Sequence, residues 1–260
     1  MSILEDIFAH KRSEVAQRRQ DKPLRTIRQE AQAAQPALDF TAALRRPPAP
    51  ALIAEIKRAS PSRGLLIADF DPLHLAAQYV VNGARAISIL TDEHYFQGSL
   101  DYLLQVRRKF PKVPLLRKDF LYDAYQVYEA RAAGADAVLL VAAMLADTQL
   151  AELRTLANEL GMAALVEVHT LDELEKVLIL QPKLVGVNNR DLHTFQVNLE
   201  TTLQLRPCIP ADVTLVAESG IRSATDVARL EQAGVNAILV GEALVTAPDR
   251  EARVRELSSR

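Results

Sequence analysis

The sequence predicts an α/β fold, a (β/α)8 TIM barrel with an N-terminal helical extension packed over it, and three observations carry that expectation. Short apolar or β-branched runs alternate strictly with helical patterns, eight such runs occur, and no glycine-rich dinucleotide turn follows the first. Runs that are apolar throughout, rather than at every second residue, suit parallel strands covered by helices. An open doubly wound sheet also alternates, but eight units in 260 residues favour a closed barrel. Residues 1–260 therefore read as a single barrel domain, with residues 1–48 as the extension within it.

From Ile3 to about Arg28, apolar Ile3, Leu4, Ile7, Phe8 and Val15 recur at helical spacing among Lys, Arg and Glu, predicting one amphipathic helix. A second short helix, with Phe40 and Leu44 one turn apart, is expected to end at Pro47-Pro48. The apolar stripe makes this arm a lid or plug over one end of the core.

The strands are then expected at Leu52–Lys57, Ala86–Leu90, Val113–Lys118, Ala137–Val141, Ala163–Val168, Leu184–Asn188, Thr214–Glu218 and Ala237–Val240. Between them lie helical patterns at Pro72–Asn82, Leu100–Lys109, Tyr122–Ala133, Asp147–Leu160, Leu171–Leu180, Asn198–Leu205 and Ser223–Gln232. Several close at a glycine (Gly83, Gly134, Gly161, Gly234), as left-handed helix ends do.

Composition narrows the function class. A formal charge of -2 gives no global attraction to nucleic acid or to an anionic membrane. The N-terminus lacks a signal-peptide core and a transmembrane run. Cys208 is the only cysteine, which excludes a disulfide within the chain and suits a cytoplasmic location. The remaining partner is a small phosphorylated molecule; contacts with a pathway enzyme or a second copy leave no mark in the pattern.

A barrel builds its active site from the C-terminal ends of its strands. Here the first run holds Glu55 and Lys57 on one face, the third ends in Lys118-Asp119, and the fifth contains Glu167. The sixth continues into Asn188 and Arg190, and the seventh ends Glu218-Ser219-Gly220. A structural ion pair can sit at either end of a strand; polar groups gathered at one end of five strands describe a pocket. Two lysines among carboxylates form a proton-transfer set, because burial and opposite charge shift one another's proton affinity. Which lysine pairs with which acid stays open at this point.

Ser219-Gly220 and Gly241-Glu242 follow the last two runs, where barrels commonly bind phosphate through backbone amides. Glu242 fits only if its side chain turns away. Phe96, Phe120 and Leu139, with Leu192 and Phe195, border the same mouth as a slot for a flat apolar group. His94, His169 and His193 lack the paired spacing of a zinc site, so no metal is expected.

The runs IAEIKRASPSRG, TDEHYFQGSL, LLRKDF, LVEVHT, GVNNRDL, VAESGI and LVGEAL closely resemble indole-3-glycerol phosphate synthase, over nearly the whole chain. Asn198, where an acid is expected, is a departure outside the site. The resemblance implies a lyase of tryptophan biosynthesis, a decarboxylase that needs no organic cofactor. Its substrate would be 1-(2-carboxyphenylamino)-1-deoxyribulose 5-phosphate, closed to indole-3-glycerol phosphate with loss of carbon dioxide and water. It further implies Lys118 as general acid, Glu167 as its acid/base counterpart, and Lys57, positioned by Glu55, as holder of anionic groups and donor of a later proton. Asn188 and Arg190 would orient sugar hydroxyls, while Ser60 and Pro61 would border the substrate. An isomerase of phosphoribosyl anthranilate would use a carboxylate pair instead, and Lys57 and Lys118 argue against it. A silent metabolite-binding barrel would have lost part of the set, which is intact.

Overall fold

The computed structural model describes residues 3–191 and 194–258. Eight parallel strands close into a barrel: β1 Ala51–Ile56, β2 Ala86–Leu90, β3 Leu115–Lys118, β4 Ala137–Val141, β5 Ala163–Val168, β6 Leu184–Asn188, β7 Thr214–Glu218 and β8 Ala237–Val240. Pairing runs in sequence order, and closure is made by β1 with β8, in the register Ala51 to Ala237 through Ala54 to Val240. Lys57 lies just beyond β1, and β3 starts at Leu115 rather than Val113, immediately after Pro114. The other six strands have the predicted bounds.

The alternation of side chains divides the apolar residues into two sets. Leu52, Ala54, Ile56, Ile87, Ile89, Val138, Leu140, Val185 and Val187 face outward and pack beneath the helices. Ala51, Ile53, Leu116, Leu139, Leu165, Leu184, Val216 and Leu239 fill the barrel axis. The covering helices are α4 Pro72–Val81, α5 Leu100–Lys109, α6 Ala124–Ala132, α7 Asp147–Glu159, α8 Leu171–Ile179, α9 Glu200–Leu205 and α10 Ala224–Gln232, followed by α11 Glu242–Val245 and α12 Arg250–Leu257. Their starts are written locally. Asp71 and Ser99 cap α4 and α5, while Asp123 with Gln126 and Ser223 with Asp226 form reciprocal capping boxes on α6 and α10. The glycines expected at helix ends all take positive φ.

The N-terminal arm departs from the sequence expectation. Pro23 has no N–H to continue the first helix, so the predicted Ile3–Arg28 helix is two: α1 Ile3–Asp21 and α2 Leu24–Ala33. A third helix, α3 Phe40–Arg45, is capped by Asp39, whose carboxylate accepts the Ala42 N–H. The arm serves both ends of the barrel rather than one. Helix α3 drives Phe40 and Leu44 into the axial cluster at the strand starts. Helix α2 lies along α6, and α1 reaches the C-terminal rim, where Lys11 meets the residues following β2 and β3. No described helix is long and apolar enough to cross a membrane.

Candidate active site

The axial apolar layer fixes where the charges go. Ile53, Leu116, Leu165 and Val216 point inward, so Glu55, Lys118, Glu167 and Glu218, each two residues further on, share that face at the C-terminal ends. On β6 the same parity carries Leu184 to Asn188. One cavity of about 930 Å³ receives them all, with Lys57 at its side.

The pairing of lysines and acids is explicit. Lys57 Nζ lies 2.7 Å from Glu55 Oε1. Lys118 Nζ lies 2.9 Å from Glu167 Oε2 and 2.7 Å from Glu218 Oε2. Asn188 Nδ2 donates to Glu167 Oε1 at 3.2 Å, while its Oδ1 accepts the Arg190 N–H at 3.0 Å. Burial would draw Lys118 toward the neutral amine, but Glu167, then Glu218 and Glu55, outweigh it and hold the pKa above that of an ordinary lysine.

The two carboxylates that share this ammonium separate in proton affinity. Burial favours the neutral acid in both. For Glu167 it is outweighed by Lys118, then by His169 and the hydrogen bonds from Lys118 and Asn188, leaving it at about 2. For Glu218 burial prevails over Lys118, and the nearby Glu167 adds to it, so that its pKa is pushed up to about 7. Geometry gives the same order: Glu218 Oε1 is buried without a hydrogen-bond partner among the described residues, whereas both oxygens of Glu167 are occupied. As pH rises around the one ammonium, Glu167 therefore ionises first and Glu218 last.

The remaining predicted site residues, with one exception, line the same cavity. Phe96 and Phe120 stand with ring centroids 6.1 Å apart, tilted by 43°. Leu139 lies in the axial layer at 4% exposure, and Ser60 and Pro61 form part of the first loop's rim. Phe195 is also in the lining; Leu192 and His193 lie outside the described residues. Arg190 extends along its own loop, with Nη1 donating to the Phe195 carbonyl at 3.3 Å.

Ser219, Gly220, Gly241 and Glu242 make the opposite wall. Ser219 and Gly220 take φ of +66° and +81°, two successive left-handed residues that turn the chain sharply after β7. A Cβ on Gly220 would come within 2.6 Å of Val197 Cγ1. The Glu242 side chain is itself engaged by cations. Its carboxylate accepts from Arg63 Nε at 3.1 Å and Nη2 at 2.8 Å, with Arg190 at 3.9 Å.

Sequence reasoning left several participants unassigned. Glu218 was visible at the end of the seventh run, and its parity with Val216 is the signal that places it against Lys118. His169 sits behind Glu167, Nε2 at 3.4 Å from Oε1, with Nδ1 at 3.3 Å from Glu173. Burial lowers its pKa, but Glu173 and Glu167 outweigh this and leave it raised. The loop after β2 is also more polar than its apolar run suggested. Asp92 there is fully buried and meets Lys11 from α1, a contact between distant segments that no local motif announces.

A family model described as indole-3-glycerol phosphate synthase matches residues 4–257. The chain belongs to the indole-3-glycerol phosphate synthase family. Indole-3-glycerol phosphate synthases from Roseiflexus castenholzii and Albidiferax ferrireducens are 53% and 52% identical to it, covering 100% and 98% of this chain and 99% and 97% of their own lengths. Among solved structures, 3-hexulose-6-phosphate synthase from Salmonella typhimurium superposes with a TM-score of 0.66 at 15% identity, over 80% of this chain and 97% of its own, a likeness of fold alone. The enzyme is an indole-3-glycerol-phosphate synthase, a carboxy-lyase of tryptophan biosynthesis acting on a phosphorylated small molecule. It closes 1-(2-carboxyphenylamino)-1-deoxyribulose 5-phosphate to indole-3-glycerol phosphate.

Proposed function

We propose that this ring closure is carried by Lys118, Glu167, Lys57, Glu55 and Asn188. The supporting observation is the Lys118 ammonium, gripped by two carboxylates at the floor of a cavity that has an aromatic slot on one side. The aryl ring of the substrate occupies the slot formed by Phe96, Phe120 and Leu139. Its phosphate rests on the amides of Ser219-Gly220 and Gly241-Glu242. The sugar spans between them past Asn188 and Arg190, bordered by Ser60 and Pro61.

The chemistry follows from that orientation. The ring carbon bearing the carboxylate attacks the ribulose ketone, and Lys118 donates its proton as the carbonyl oxygen becomes a hydroxyl. A lysine raised above its ordinary pKa is fully charged at neutral pH, and an alkoxide is still the stronger base. The ring carbon is now tetrahedral, so the carbon–carbon bond to the carboxylate can break and return its electron pair to the ring. Lys57 holds the departing carboxylate while Glu55 fixes the ammonium. Dehydration then removes a proton from the methylene carbon, for which Glu167 is the base, and expels the new hydroxyl as water with a proton from Lys57.

Supplying the substrate and following indole fluorescence tests the assignment. Lys118→Ala is expected to lower turnover by about 10²–10⁴-fold while still binding substrate, the range for loss of a general acid. Ring closure at the wild-type rate in that variant would remove Lys118 from the role. We also place the enzyme in the cytoplasm, because exposed Cys208 has no second cysteine in the chain to pair with and suits a reducing compartment.

A further inference from the structure

We infer that Lys11, on the N-terminal helix, is a positioning residue for the aromatic slot: its buried ammonium clamps the loop that carries Phe96 to the loop that carries Phe120. This rests on the assignment of that slot to the substrate's aryl ring.

Lys11 is 1% exposed, although nothing about a helix so close to the N-terminus requires a lysine to be buried. Its Nζ lies 2.9 Å from Asp92 Oδ2, 2.8 Å from Asp119 Oδ1 and 3.0 Å from Glu14 Oε2. The two aspartates are also what holds the slot walls. Asp92 Oδ1 accepts the N–H of Tyr95 at 2.6 Å and of Phe96 at 3.2 Å, and Asp119 Oδ1 accepts the N–H of Phe120 at 2.8 Å. Each wall therefore hangs from a carboxylate bound to the same cation. Phe96 also transmits its position, because its carbonyl accepts the Ala59 N–H at 3.2 Å and so ties in the loop bearing Ser60 and Pro61. Ile7, one helical turn before Lys11, lines the cavity itself.

The two ends of the clamp are unequal. Asp119 keeps Arg117 at 3.1 Å and the Thr91 hydroxyl at 2.6 Å if the ammonium is removed. Asp92 is fully buried, and among the described residues Lys11 is the one cation paired with its carboxylate. Loss of Lys11 consequently frees the Phe96 wall first. Lys118 is held separately by Glu167 and Glu218, so the proton donor keeps its place.

The test is Lys11→Met in the full chain, with steady-state kinetics on the carboxyphenylamino substrate and competitive inhibition by inorganic phosphate. The expected result is a rise in KM of about tenfold, a fall in kcat of less than about threefold, and an unchanged phosphate inhibition constant. A purely structural role predicts fewer folded molecules and no change in KM; that outcome, or a phosphate constant that rises as much as KM, overturns the clamp. Where Lys11→Met does not fold, Lys11→Met with Asp92→Asn removes the stranded charge, and a normal KM in it is equally fatal. Phe96→Ala and Phe120→Ala separate the two levels: if neither raises KM, the slot assignment fails rather than the clamp.

Discussion

Glu218 sets one carboxylate oxygen 2.7 Å from Lys118 Nζ and leaves the other, Oε1, buried without a hydrogen-bond partner among the described residues. Its ordinary carboxyl pKa of 4.5 is pushed up to about 7, first by burial and then, against the pull of Lys118, by Glu167. Between those values the folded chain holds a proton that the unfolded chain has released. The stability owed to this group is therefore full below about 4.5, declines as pH rises, and is gone once pH passes about 7. Glutamine has no such proton to lose. Denaturant unfolding of wild type and Glu218→Gln from pH 4.5 to 8 should show the difference moving in favour of the variant by up to a few kcal/mol, at about 1.4 kcal/mol per unit of pKa. A difference that does not vary with pH would show that Glu218 is ionised throughout. Glu167, held at about 2, acts in the opposite sense and in another window, losing its contribution only as pH falls below 4.5.

The strand rhythm and its parity were legible because parallel barrel strands are apolar on both faces and end where charge begins. Glu55, Lys57, Lys118 and Glu167 could be found by looking only at those ends, and the cavity collects all four. What the sequence could not show is pairing across the barrel. Lys118 is 100 residues from Glu218 and Lys11 is 81 residues from Asp92, and in each case the contact exists only after closure. The broken first helix was readable from Pro23, a residue without an N–H, but the apolar spacing on either side masked it.

Gly220 at φ +81° follows Ser219 at φ +66° on the wall assigned to phosphate. Gly220→Ala places a methyl against Val197 and makes the left-handed turn unfavourable by about 1 kcal/mol. The amides then shift away from the anion, while the distant lysines do not move. We expect KM to rise by about tenfold with kcat within about twofold, because uniform binding is lost and not the proton donor. Unchanged affinity would take the phosphate off this turn.

Phe40 and Leu44 close the opposite end of the axis, 1% and 0% exposed among the inward side chains of the strands. Neither Phe40 nor Leu44 lines the cavity where chemistry is assigned, so their contribution should be to stability alone. Phe40→Ala removes an aromatic ring from a packed layer that rigid strands cannot collapse to fill, a loss of about 3–5 kcal/mol. For a chain of this length that lowers Tm by on the order of 10 °C. At 25 °C the folded variant should keep its kcat and KM, since the register of the strands is set by their own hydrogen bonds and by the outer helices. Thermal unfolding followed by far-ultraviolet circular dichroism, with kinetics on the same samples, decides it. An unchanged Tm would mean that α3 lies against the barrel without plugging it. A lower Tm accompanied by a raised KM would mean that the two ends of the axis are mechanically joined through the inward layers.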